Sequence, residues 1–233
     1  DRWIRKTESG ALPPNFLTRL SAALVPQGYA FDSVDNLRVQ DGTVALSGYS
    51  SVWWMLGDES TDDETFAYQE QLRLQTYLEQ GGRLFVSGSE IAWDLINRAG
   101  PINDTAFATN YLKTGYTSDG ASGNGYGFTG ITGTAFAGQT GSFDNGTGGM
   151  FNVLTPDVLS PQGGAQAVLN YSAGGIAGIA YRGVFGSGTL SGAVVVLGFP
   201  FESITSAADR SALAGAITNA LYSAAGVSDS LAY

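Results

Sequence analysis

Along the first hundred residues, apolar positions alternate between helical spacing and short continuous runs. Pro13 and Pro14 stand where a helix begins, and Phe16, Leu17, Leu20, Ala23 and Leu24 follow at helical spacing until Gly28. Tyr29 to Val34 reads as a short strand. Tyr49 to Leu56 (YSSVWWML) reads as a stronger one, dense in apolar side chains and closed by Gly57 as a buried parallel strand would be. The acidic run Asp58 to Glu64 then opens an amphipathic helix through Phe66, Leu72, Leu74, Tyr77 and Leu78. Thr61 and Glu64 have capping-box spacing, and acids suit the positive end of the helix dipole. Gly81-Gly82 ends this helix, Arg83 to Ser87 (RLFVS) predicts the next strand, and Glu90 to Arg98 (EIAWDLINR) the next helix. Strand, helix, strand, helix with short links predicts an α/β fold: an open, mostly parallel sheet with helices on both faces.

The pattern then changes. Between Gly115 and Gly149 there are twelve glycines, interleaved with Thr, Ser, Phe and Tyr and without helical periodicity. Residues 115–150 therefore read as a glycine-rich insertion of short strands and loops within a single domain spanning 1–233. Ala165 to Tyr171, Gly175 to Tyr181 and Gly192 to Phe199 predict three further strands. Ala207 to Ala224 predicts a final helix with Leu213, Ala216, Ile217 and Leu221 on one face.

Composition narrows the chemistry. The chain of 233 residues is 43% hydrophobic and 12% aromatic, enough for a packed core, and its net charge of −10 makes nucleic acid a poor partner. No apolar run approaches the length of a transmembrane segment. There is no cysteine and no histidine, which excludes thiol catalysis, disulfides, thiolate or imidazole metal sites and any His-dependent triad within the chain. An acidic, glycine-rich, cysteine-free chain reads as a secreted or cell-surface bacterial protein.

Three segments carry a family likeness. They are Leu56-Gly57-Asp58-Glu59-Ser60-Thr61 with Glu64-Thr65-Phe66, the stretch Gly81 to Leu95 (GGRLFVSGSEIAWDL), and Val195 to Ile204 (VVLGFPFESI) followed by Asp209-Arg210. Together they resemble a class I glutamine amidotransferase-like domain of secreted bacterial proteins labelled xanthan lyase-like. The resemblance implies a flavodoxin-like fold and a strand-to-helix elbow at Ser87-Gly88-Ser89-Glu90, with Ser89 where those enzymes place their cysteine. A serine there needs a base, and no histidine exists to serve. The resemblance also implies an apolar first strand ahead of Asp1-Arg2-Trp3: either the chain was trimmed, or a strand from elsewhere completes the sheet.

In such a sheet, ligands bind beyond the carboxyl ends of the strands. Asp58-Glu59-Ser60, Ser89-Glu90, Asp94 and Glu202 are the acidic and hydroxylated stations that would meet there, with Arg210 as a neutralising partner for Glu202. Clustered carboxylates need a cation or raised pKa values. Glu59, Glu90 and Glu202 are the set that would hold a metal, and with oxygen ligands alone this would be Ca²⁺ rather than zinc. Each station also has a plain structural use: acids near helix starts, Ser89 as an N-cap, Glu202 as a loop anchor. Trp53, Trp54 and Trp93 read mainly as core, and Asp144-Asn145-Gly146 as a turn.

These readings weigh against an enzyme. They favour a non-catalytic extracellular module without a cofactor that binds glycan, a neighbouring domain or copies of itself. The alternatives are a polysaccharide hydrolase or lyase, Ca²⁺-assisted, using Glu59, Ser89, Glu90 and Glu202, and a structural subunit of a surface assembly.

Overall fold

The strand YSSVWWML begins later than its apolar run. β1 spans Val52–Gly57 and pairs in parallel with β2, Arg83–Gly88, which pairs in parallel with β9, Ser191–Leu197. The computed structural model describes residues 16–58, 64–98, 104–120 and 125–223. Along these three strands side chains alternate between two cores. Trp54, Leu56, Leu84, Val86, Val194 and Val196 face one, and Met55, Phe85, Val195 and Leu197 face the other. On the first face lie α2 (Asn36–Gln40) and α3 (Tyr68–Glu79), and on the second α1 (Phe16–Leu24) and α5 (Ala207–Tyr222).

Local chemistry sets the helix ends. The Asp35 carboxylate accepts from the N–H of Leu37 to cap α2, and the Ser206 hydroxyl accepts from the N–H of Asp209 to cap α5. The Glu70 side chain turns back to accept from the N–H of Ala67 at the start of α3 (2.8 Å). The expected capping pair Thr61 and Glu64 is only half within the described residues, because Thr61 lies outside them.

Beyond β9 the sheet changes character. β3 (Thr114–Asp119), β4 (Gly127–Gly130), β5 (Thr140–Ser142), β6 (Asp157–Pro161), β7 (Gln166–Tyr171) and β8 (Ile176–Val184) all pair antiparallel. The main path runs β1-β2-β9-β8-β7-β4-β5, with β6 joining β3 to β8. The result is a mixed, strongly curled nine-stranded sheet, a half-barrel, mostly β with few helices. Register shifts in β1, β3 and β7 mark local irregularities of the kind that bend a strand. One face is filled by aromatic rings: Phe199 stacks between Phe128 (5.2 Å) and Phe143 (4.9 Å), with Tyr171 edge-on.

This corrects the expected architecture. The open, mostly parallel, flavodoxin-like α/β sheet is not what forms, since only β1, β2 and β9 are mutually parallel. The reason is link length. β7, β8 and β9 follow one another through Ser172–Gly175 and Phe185–Leu190, and a parallel crossover needs about a dozen residues or more. Such links can only make hairpins. The glycine-rich stretch supplies β3, β4 and β5 to this same sheet. Tyr29 to Val34 joins no strand, and the turn at Asp144-Asn145-Gly146 is present, with Gly146 at φ 93°. A single π-helical turn, Trp93–Asn97, takes most of the helix expected over 90–98.

Candidate functional site

The carboxyl ends of β1, β2 and β9 lie side by side, because Gly57 registers with Gly88 and Ser87 with Leu197. The chain turns sharply at each end. Gly57 has φ 68°, and a side chain there would strike the ring of Phe16 at 2.7 Å. Across the turn the N–H of Ser89 donates to the carbonyl of Gly57 (2.9 Å). Glu90 takes φ 57°, a left-handed conformation that costs a non-glycine residue of order 1 kcal/mol or more. It stands between β2 and the helical turn at Ile91–Ala92.

Burial, more than clustering, is what the acids here share. Glu202 is fully buried in a 3₁₀ turn (Phe201–Ser203) after β9, and among the described residues neither side-chain oxygen has a hydrogen-bond partner. Its pKa is raised to about 8, chiefly by burial, with the nearby Asp58 carboxylate adding to the shift and Arg19 opposing it. At neutral pH Glu202 is therefore mainly a neutral acid. Arg19 donates to the backbone carbonyls of Glu202 (3.1 Å) and Ile204 (3.2 Å). Arg210 does not neutralise Glu202 as expected: its guanidinium donates to the carbonyls of Ile204 and Thr205, holding the turn into α5.

The remaining stations form separate groups. Glu90 faces Asp157, whose pKa burial raises well above the carboxylate range against the opposing N–H bonds of Ala92 (2.7 Å) and Trp93 (3.3 Å). Asp94 accepts from the N–H of Thr65 (3.0 Å) and pairs with Arg98 (2.7 Å). Ser87 and Ser89 are wholly buried, and their hydroxyls have no hydrogen-bond partner among the described residues. Glu59 and Ser60 lie outside the described residues. Among the described residues no group of three or more carboxylates is placed to hold a metal ion.

Three residues to which the sequence reading gave no role in the site shape this region. Asp157 reaches across to seat the turn after β2, and Arg19 ties α1 to the 200–204 segment. Asp144, fully buried, accepts from the N–H groups of Gly146 (2.8 Å), Gly148 (2.7 Å) and Met150 (2.7 Å). Asp157 opens an otherwise apolar strand, and that oddity was its one available signal.

Open space lies elsewhere. A cavity of about 530 Å³ runs along β1 on the side away from β2, between Gly48–Met55 and Tyr29–Val34. No helix of the described residues is long and apolar enough to cross a membrane.

No family model and no curated protein matches the chain. Among solved structures, the chain is similar to a β-galactosidase from Rahnella sp. R3, with 16% identity and a TM-score of 0.54 over 88% of this chain. It is also similar to the N-terminal domain of mmIFT52, with 14% identity and a TM-score of 0.52 over 87% of this chain and 88% of that one. The chain spans only 26% of the β-galactosidase. These neighbours overturn the resemblance to glutamine amidotransferases and to xanthan lyase-like domains. At such identities the likeness is one of fold: a curled, mostly β half-barrel.

Proposed function

We propose that this chain is a non-catalytic module of a secreted or surface bacterial protein, working by association with glycan, a neighbouring domain or a second copy of itself. The observation that carries this reading is the sorting of its acids. Glu202 lies near Asp58, Glu90 near Asp157, and Asp94 pairs with Arg98, and among the described residues no three of these carboxylates converge, whereas catalysis by paired carboxylates needs two that face one accessible space. The 530 Å³ cavity is lined by none of them. The β-galactosidase holds this fold as 26% of its chain, and the other neighbour is an N-terminal domain, which suits a module.

A second reading has one observation in its favour. A neutral Glu202 beside Asp58 is an acid and a carboxylate at the ends of neighbouring elements, the combination glycoside cleavage uses. Reducing-end release from a panel of neutral and acidic polysaccharides separates the two. The module reading expects no release above the blank by either wild type or Glu202→Gln, and retarded migration of both in gels or sedimentation where association occurs. Release by wild type that Glu202→Gln abolishes would transfer the case to the hydrolase.

A further inference from the structure

β1 ends the sheet. It pairs with β2 on one side, and on the other it borders the cavity. An edge strand carries a row of backbone N–H and C=O groups ready to pair with another chain, and proteins ordinarily blunt such edges with charge or proline. β1, VWWMLG, has neither. The opposite wall, Tyr29–Val34, is a continuous stretch of chain that belongs to no strand.

Both hydrophobic cores open into this space. Leu20, Leu24 and Met55 reach it from the α1 and α5 side, and Val39, Leu46 and Trp54 from the α2 and α3 side. Successive side chains of a strand lying there would enter the two cores alternately. A fitting occupant is therefore apolar at consecutive positions, as β1 is. Tyr29 and Phe31 on the wall are 41% and 39% exposed, so an occupant would cover aromatic surface now open to water. Among the described residues that line the cavity Asp32 is the one charged residue, and the whole chain carries −10. A basic residue on the occupant is the complementary charge.

We propose that the cavity beside β1 is a strand-docking slot: an extended segment of a second polypeptide, apolar at successive positions and bearing a basic residue near Asp32, pairs with the outer edge of β1. Main-chain hydrogen bonds supply affinity and the two cores select the side chains. This rests on the association reading above and names its partner class.

The probe is a synthetic peptide, acetyl-Lys-Val-Leu-Val-Ile-Val-Lys-amide, with an N-methylated version that keeps its apolar surface but lacks amide donors. Binding to the full chain is followed by tryptophan fluorescence and by amide exchange. The parent peptide is expected to bind, to slow exchange in β1 and in Tyr29–Val34, and to exceed the N-methylated version by at least about tenfold, the equivalent of one or two hydrogen bonds. Equal binding of both peptides would make the cavity a pocket for any apolar ligand and overturn the proposal. So would absence of binding, or binding without added protection in β1. If the peptide fails while the chain still self-associates or is retarded by glycan, the slot is wrong and the association reading stands.

Discussion

Glu202 shows how one residue's burial decides its chemistry. Its folded-state pKa of about 8 lies above the ordinary 4.5 because desolvation penalises the charged form. The native state thus holds a proton that the unfolded chain has released. The stabilisation is fully present below pH 4.5 and is lost as pH rises towards 8, at about 1.4 kcal/mol per pH unit for this group. Asp157, also raised, has the same sign. Glu202→Gln, which keeps the shape and cannot ionise, is expected to flatten the decline between pH 5 and 8, measured by urea unfolding across that range. An unchanged slope would mean that Glu202 ionises in the fold as it does in water. The sequence offered Glu202 as a station but not its neighbour. Arg210, eight positions on, was the nearer guess, whereas Arg19 is the guanidinium close by, brought in by α1 packing across the 201–204 turn. That contact spans 183 positions and leaves no local trace.

Elements were more legible than their assembly. The apolar runs behind β1, β2, β7, β8 and β9 and the periodic stretches behind α1, α3 and α5 appear close to where their patterns put them. Pairing was another matter. VWWML and RLFVS look alike whether a parallel or an antiparallel neighbour flanks them, so the first two strands suggested a rule that the later ones break. The link Ser172–Gly175 between β7 and β8 held the correction, being too short for a crossover. The end of β9 shows how closely these pieces meet. Gly198 accepts from the N–H of Asp157 (2.7 Å) and donates to the carbonyl of Ala177 (2.9 Å), and a Cβ there would lie 2.2 Å from the Asp157 carbonyl oxygen. Gly198→Ala must push two strands apart and is expected to cost about 3 kcal/mol in urea unfolding. A cost below about 1 kcal/mol would mean that the β6–β9 contact yields freely.

For the whole molecule, the sheet is asymmetric. At one end the three-residue β5 pairs only with β4, and at the other, among the described residues, β1 has no partner on its outer side, along a cavity that both cores reach. Composition alone excludes His- and Cys-dependent chemistry within the chain. No sequence pattern foresaw the open end, because a free edge is a property of what does not lie beside a strand. The account of β1 as the receiving edge for a partner strand turns on that edge being free. Amide exchange in the isolated chain, read residue by residue, tests it most directly. Every second amide of Val52–Gly57, those directed away from β2, is expected to exchange orders of magnitude faster than the amides of β2 and β9. Uniform protection along β1, equal to that of β2, would contradict the account, since it would mean that the outer edge is already paired.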